Sequence, residues 1–159
     1  MSNVTQLLGL AAVRCHAEAH SRKRALQLAA DLIANDTDLS ADNLFDGLME
    51  RERLGSTGLG AGVAIPHCRM ACNAMRVAFL TLNHPVDHEA PDGDDVDIIF
   101  VIVVPNDEDQ AHLDALAVLS EIFADPDNRT KLRGCTTAKG LLSCIRGMAD
   151  PGPQQQQTL

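Results

Sequence analysis

The chain contains the stretch Val96-Asp97-Ile98-Ile99-Phe100-Val101-Ile102-Val103-Val104, which is nearly all β-branched or aromatic. An apolar run without polar alternation is typical of a strand that is buried on both faces of a sheet. After Pro105 the apolar period becomes helical, and an amphipathic helix is predicted over about 109–124. A doubly buried strand followed by such a helix indicates an α/β protein, in which helices cover both faces of a mixed β-sheet.

Helices and strands also alternate along the rest of the chain. Helices are predicted over 22–34 after a capping Ser21, over 41–52 after a capping Ser40, and over 127–133 and 137–147. Strands are predicted over 11–18, 63–65 and 76–82, and Pro66 is expected to end the ladder pairing of its strand. The glycine-rich segment 54–62 and the acidic segment 85–95 are expected to form turns.

The domain organisation is predicted to be simple. We expect a single domain over 1–149, because no interdomain linker or internal repeat interrupts the pattern and the length suits one core. Residues 150–159 contain Pro-Gly-Pro and four glutamines and are expected to form a disordered tail.

The composition excludes several classes of function. The net charge of −9 repels a polyanion, and aromatic side chains that stack on bases are scarce, with four Phe and no Trp or Tyr. The only basic cluster is Arg22-Lys23-Arg24, which suits the solvated face of a helix. Nucleic acid is therefore not an expected partner.

Cysteine usage and hydropathy indicate a cytoplasmic protein. Five cysteines, at positions 15, 68, 72, 135 and 144, are odd in number and irregular in spacing, which argues against a disulfide framework. Their spacing with His67 matches no common zinc pattern, so no metal is expected. The apolar run over 7–13 is too short to span a bilayer. No membrane insertion is expected.

The chemistry is predicted to centre on His67, which ends the stretch Arg51-Glu52-Arg53-Leu54-Gly55-Ser56-Thr57-Gly58-Leu59-Gly60-Ala61-Gly62-Val63-Ala64-Ile65-Pro66-His67. A neutral imidazole is a nucleophile at cytoplasmic pH and can carry a phosphoryl group. The glycines of the turn would let a phosphoryl group or a partner approach the backbone. The plain alternative is a surface histidine at the end of a strand.

Two arginines precede the turn, and each is a candidate for binding the phosphoryl group. A guanidinium can hold two phosphoryl oxygens at once, and either Arg51 or Arg53 fits on pattern alone. The alternative for Arg51 is a solvated cation at a helix C-terminus, where positive charge is favourable. Ser56 and Thr57 are tentative phosphate ligands, and their hydroxyls are as well suited to satisfying the turn backbone.

A second histidine, His112, falls one turn into the helix that follows the buried strand. Binding sites of α/β proteins gather at the carboxyl ends of the strands, and a helix N-terminus favours phosphate. The alternative is an exposed helical histidine. His16, His20, His84 and His88 show no usable pattern.

The Gly-Ser-Thr-Gly turn, the Ile65-Pro66-His67 context and the later histidine together resemble the enzyme IIA proteins of the bacterial phosphoenolpyruvate phosphotransferase system. The similarity covers most of the chain and is strongest to the nitrogen-regulatory branch of the mannitol- and fructose-type IIA superfamily. It implies the mixed-sheet fold, with His67 as the phosphorylated residue, Arg51 as the active-site arginine and His112 beside His67 as its positioning partner.

The chain departs from the family pattern at two places. The residue after the IIA histidine is usually glycine and here is Cys68, which leaves crowding or redox sensitivity of the site open. The usual Gly-Asn-Gly before the strand is Gly60-Ala61-Gly62. Neither change removes a group that handles phosphoryl.

The resemblance implies a phosphoryl carrier that needs no cofactor. Its donor would be an HPr-like phosphocarrier protein, and its phosphorylation state would regulate target proteins such as a potassium transporter or a sensor kinase. The alternative function is a IIA component that relays phosphoryl to a separate sugar-permease IIB. Both functions require docking, for which we expect an apolar face around His67 formed by Leu59, Val63, Ile65 and Met70.

Overall fold

The computed structural model describes residues 3–35, 37–107 and 109–149 and contains one mixed sheet of six strands. The strand order is β1-β5-β6-β3-β2, and β4 pairs with β6 beyond β3. The pairs β5–β6 and β2–β3 are antiparallel, whereas β1–β5, β3–β6 and β4–β6 are parallel. The strands are β1 (Val13–Ala17), β2 (Gly58–Gly60), β3 (Val63–Ala64), β4 (His67–Met70), β5 (Arg76–Val86) and β6 (Val96–Pro105).

All five predicted helices are present. Two of them begin at the predicted caps, since Ser21 Oγ accepts a hydrogen bond from the Arg24 N–H and Ser40 Oγ accepts one from the Asn43 N–H. Two short 3₁₀ turns, Val4–Leu7 and Leu10–Ala12, precede β1. The helices are α1 (Arg22–Asn35), α2 (Ala41–Arg53), α3 (Asp109–Ala124), α4 (Pro126–Gly134) and α5 (Ala138–Ala149).

Strand β6 divides the core into two layers. Ile99, Val101 and Val103 pack among the apolar residues of α1 and α2. The alternate residues Ile98, Phe100, Ile102 and Val104 pack on the other face with those of α3 and α5. All seven side chains are at most 1% exposed, as expected where successive residues of a strand point to opposite faces. The predicted α/β fold with helices on both faces of a mixed sheet is confirmed.

The prediction that Pro66 ends the ladder pairing is wrong. The register between residues 63–64 and β6 continues unchanged after Pro66, where His67 pairs with Ile102. Proline lacks only the N–H, and the Pro66 carbonyl still accepts a hydrogen bond from the Ile102 N–H at 3.0 Å. Pairing with β6 is therefore interrupted at residues 65–66 and resumes at His67.

Two turn predictions also need correction. Residues 58–60 of the glycine-rich segment form β2, because Gly58 and Gly60 pair with Ala64 and Val63. Strand β5 extends to Val86, beyond the predicted end at residue 82 and into the segment predicted as a turn. The predicted tail over 150–159 lies outside the described residues. Within the described part of the chain, no helix is long and apolar enough to cross a membrane.

Candidate active site around His67

His67 is the first residue of β4, and its half-buried ring is held by its own chain. Ring atom Nδ1 lies 2.9 Å from the carbonyl oxygen of Ile65. Because a carbonyl oxygen only accepts hydrogen bonds, Nδ1 carries the proton. The neutral ring consequently has its lone pair on Nε2, which is the nucleophilic atom.

The surroundings of His67 favour the neutral ring. Burial lowers the pKa of His67, the hydrogen bond to the Ile65 carbonyl opposes that shift, and the positive charge of Arg51 lowers the pKa further. The net direction is downward, so the ring is more often neutral near pH 6.5 than an unperturbed histidine is.

His112 lies beside His67, as the family resemblance implies. It is the fourth residue of α3, and the two ring centroids are 4.9 Å apart with the ring planes at 81°. Burial lowers the pKa of His112, and the neighbouring His67 and Arg69 lower it further. Its Nδ1 atom is buried and has no hydrogen-bond partner among the residues that the structure describes.

The structure separates the two arginines that were equivalent on pattern. Arg51 is half-buried in the last turn of α2, where its Nη1 donates a hydrogen bond to the Gly55 carbonyl at 2.7 Å, and its charge acts on the pKa of both histidines. Arg53 is exposed and pairs with Glu50 at 2.5 Å. The structure thus brings Arg51 to the histidines and gives Arg53 a partner on the helix surface.

The hydroxyls of Ser56 and Thr57 are occupied by the protein itself. Ser56 Oγ donates to the carbonyl of His88 at 2.6 Å and accepts from the Gly58 N–H at 3.1 Å. Thr57 Oγ1 is buried and donates to Glu52 Oε2 at 2.5 Å. These contacts correspond to the alternative in which the hydroxyls satisfy the turn and its neighbours.

An ion pair that sequence reasoning missed joins the elements carrying the two histidines. Arg69 Nη2 lies 2.5 Å from Asp109 Oδ1. Arg69 is two residues after His67 on a strand, and Asp109 is three residues before His112 on a helix, so each pair shares a face. The spacing of Arg69 from His67 and of Asp109 from His112 could therefore have been recognised in the sequence. Both side chains are exposed, so the role of the pair here is geometric more than energetic.

His88, for which no pattern was available, is completely buried. Its Nε2 lies 3.1 Å from Glu52 Oε1, and Glu52 is itself only 4% exposed. The sequence signal for this pair is weak, because the two residues are far apart in the chain and belong to different elements.

Cys68 does not crowd the site. Its side chain packs in the core layer of α1 and α2. Because successive side chains of a strand point to opposite faces, Cys68 lies on the face of β4 opposite that of His67 and Arg69. Burial raises the pKa of the Cys68 thiol to about 12, which keeps it protonated and poorly reactive.

The expected docking face is partly wrong. Val63 and Ile65 are each 1% exposed, because they pack in the core layer of α3 and α5. Leu59 is 48% exposed, as expected. Two further leucines that were not anticipated, Leu54 and Leu113, are exposed next to the turn and next to His112. Among the described residues, no cluster of side chains is suited to holding a metal ion.

Comparisons with known proteins agree with this architecture. The family described as "Phosphoenolpyruvate-dependent sugar phosphotransferase system, EIIA 2" matches residues 6–147. A nitrogen regulatory protein of Pseudomonas aeruginosa is 40% identical over 127 residues, which cover 79% of this chain and 82% of that protein.

Two solved structures are similar. The crystal structure of nitrogen regulatory protein IIA-Ntr from Neisseria meningitidis has a TM-score of 0.85 at 35% identity and covers 89% of this chain and 98% of that one. Enzyme IIA of the mannitol system from Escherichia coli, solved in complex with phosphorylated IIB, has a TM-score of 0.72 at 18% identity, covering 88% and 97%, and shares the fold. The resemblance to the nitrogen-regulatory branch is confirmed, and the chain belongs to the EIIA type 2 family of the phosphoenolpyruvate-dependent phosphotransferase system.

Proposed function

We propose that this protein is a phosphoryl carrier of a nitrogen-regulatory phosphotransferase system, with His67 as the residue that is phosphorylated. One observation carries the proposal: His67 Nδ1 is hydrogen-bonded to the Ile65 carbonyl, which leaves Nε2 as the free nitrogen of a ring that lies beside a second histidine. The donor is an HPr-like protein phosphorylated on its own histidine. No cofactor is required, because the two proteins supply all the reacting groups.

The transfer is a single displacement at phosphorus. The Nε2 lone pair of His67 forms the new P–N bond while the P–N bond to the donor breaks, and its electron pair returns to the donor imidazole. The Nδ1 proton of His67 stays in the hydrogen bond to Ile65 throughout. The lowered pKa of His67 supports this step, since a protonated ring has no lone pair to attack with.

The charge on the phosphoryl oxygens calls for cationic and hydrogen-bonding partners. Arg51 supplies a forked guanidinium at the end of α2, and catalysis of phosphoryl transfer relies largely on such positioning and charge. His112 supplies a second imidazole beside His67, at the N-terminal turn of α3 where partial positive charge accumulates. Ser56 and Thr57 keep the turn in shape, and we assign them no direct phosphate contact.

The regulatory reading is favoured over the transport reading. Relatives at 40% and 31% identity are named nitrogen regulatory proteins, so we infer that phosphorylation switches association with targets such as a potassium transporter or a sensor kinase. The alternative, relay to a separate sugar-permease IIB, draws support from the mannitol IIA that was solved with its IIB. Either partner would dock on the exposed leucines Leu54, Leu59 and Leu113. We also propose that the protein is cytoplasmic, because the cysteines of the described residues form no disulfide and thiols stay reduced in the cytoplasm.

The ring state of His67 can be tested without any partner. Titration followed by NMR of the imidazole nitrogens and Cε1–H should give a pKa for His67 below the ordinary value of about 6.5, because burial and Arg51 disfavour the imidazolium. At neutral pH the nitrogen spectrum should show the proton on Nδ1. A pKa above the ordinary value, or a proton on Nε2, would contradict the proposed nucleophile.

Incubation with phosphoenolpyruvate, enzyme I and an HPr-like protein should add one acid-labile phosphoryl group, located at His67. The His67→Ala variant should not be labelled, because among the described histidines only His67 has its Nδ1 hydrogen-bonded to a backbone carbonyl, which leaves the lone pair on Nε2. Intact-protein mass spectrometry at neutral and acidic pH measures both. Equal labelling of the variant and the parent would refute the proposed function.

His112→Ala should keep the fold but slow phosphoryl transfer by about 100-fold, taking acid–base and electrostatic partners as the guide. The reason is that His112 orients His67 and its phosphoryl group without forming a bond to phosphorus. Quench-flow kinetics with phosphorylated HPr gives the rate, and circular dichroism serves as the fold control. An unchanged rate would show that His112 is only a helix residue.

Arg51→Lys should lower the labelling rate and shorten the lifetime of the phosphohistidine, whereas Arg53→Lys should leave both nearly unchanged. Lysine keeps the charge of Arg51 but loses the fork and the bond to the Gly55 carbonyl. Arg53 is a matched control, because it lies two residues away and, in the part of the chain that the structure describes, forms an ion pair with exposed Glu50. The opposite ranking of the two variants would assign the phosphate to Arg53.

A further inference from the structure

A buried polar cluster lies beneath the glycine-rich turn and centres on the carboxylate of Glu52. The Thr57 N–H donates to Oε1 at 3.1 Å, and the Thr57 hydroxyl donates to Oε2 at 2.5 Å. His88 Nε2 lies 3.1 Å from Oε1, and Arg22 Nη1 lies 3.7 Å from the same atom. These four residues, here named the Glu52 cluster, come from α1, α2, the turn and the segment after β5.

The Glu52 carboxylate is ionised within this cluster. Burial alone raises the pKa of Glu52, but the hydrogen bonds from His88 and Thr57 outweigh it, and the net shift is downward. A carboxylate that is 4% exposed is costly to desolvate and persists only where such partners satisfy it.

Two chains of hydrogen bonds lead from Glu52 to the groups that handle phosphoryl. In the first, Glu52 fixes Thr57, the Thr57 carbonyl accepts from the Ile65 N–H at 3.1 Å, and the Ile65 carbonyl accepts from His67 Nδ1. In the second, the backbone carbonyl of Glu52 accepts from the Gly55 N–H at 3.1 Å, and the Gly55 carbonyl accepts from Arg51, so this path does not involve the carboxylate.

Glu52 also acts on His67 through its charge. Its carboxylate raises the pKa of His67, in opposition to burial and to the charges of Arg51 and Arg69. Arg51 and Glu52 are adjacent on α2, so their side chains leave the helix about 100° apart, one towards the site and one into the interior. The Glu52 carboxylate therefore acts on the His67 ring from the interior of the protein.

We propose that the Glu52 carboxylate is a positioning group of the phosphoryl site, which sets the orientation of the His67 ring through Thr57 and Ile65. The role rests on the proposed function of His67. His88 and Arg22 hold the carboxylate in place, so neither needs to touch the phosphoryl group. Glu52 itself forms no bond to the reacting atoms and acts on the rate by placing them.

The test compares Glu52→Gln with Glu50→Gln. Glutamine keeps the shape of Glu52 but loses its charge and one acceptor oxygen, so the maximal rate of transfer from phosphorylated HPr should fall by about 10-fold to 100-fold, as for a small misplacement of reacting groups. The HPr concentration at half-maximal rate should stay unchanged. Glu50 is an exposed neighbour on the same helix turn, and its variant should match the parent.

An NMR titration of His67 distinguishes positioning from loss of stability. In Glu52→Gln the pKa of His67 should fall below that of the parent, because the charge that raises it is gone, and in Glu50→Gln it should not move. A folded Glu52→Gln protein with the parent's transfer rate and the parent's His67 titration would overturn the proposal.

A second pair of variants covers the case in which Glu52→Gln does not fold. Thr57→Val removes the hydroxyl that binds Glu52 and should slow transfer, and Thr57→Ser, which keeps it, should restore the rate. Equal rates for these two variants would also overturn the proposal. If the parent protein is not labelled at His67, the proposed function fails, whereas the titration still reports whether Glu52 acts on the ring.

Discussion

The packing of β6 between two layers of helices is the constraint on which the rest of the structure depends. Its alternate side chains fill both cores, and β5, β3 and β4 all pair with it. A strand buried on both faces has a fixed register, since a shift by one residue would exchange the two sets of side chains. The register that places His67 opposite Ile102 is therefore fixed by packing in the two core layers rather than by the residues of the candidate site.

This arrangement brings together three segments that are separate in the sequence. The end of α2 provides Arg51, the start of β4 provides His67 and the first turn of α3 provides His112. Each side chain is then held by a local contact. The Gly55 carbonyl binds the Arg51 guanidinium, and the Ile65 carbonyl binds the His67 ring. The ion pair between Arg69 and Asp109 joins strand β4 to helix α3, which carries His112. Burial is the largest cause of the lowered pKa of both histidines, and the charges of both signs around the rings add to it or oppose it.

The fold was largely predictable because its signals are local. The apolar run of β6, the caps at Ser21 and Ser40 and the helical periods need only a few neighbouring residues to be recognised. The prediction for Pro66 failed because it considered only the N–H donor that proline lacks. The pairing with β6 also uses the Pro66 carbonyl, which accepts a hydrogen bond from the Ile102 N–H. The predicted roles of His67, His112 and Arg51 came from the family resemblance, and the structure adds the direction in which the Arg51 and Arg53 side chains point. His88 was missed because its contact with Glu52 joins distant segments without periodic spacing.

The bond between His67 Nδ1 and the Ile65 carbonyl has a consequence for the thermodynamics of the proposed transfer. Since the ring keeps the same proton before and after it accepts the phosphoryl group, the exchange with a donor imidazole takes up and releases no protons. The free-energy difference between donor and acceptor is then determined by how each protein solvates a dianionic group on a nitrogen. Under the proposed function, the equilibrium between donor and acceptor would therefore be independent of pH as long as both rings remain neutral.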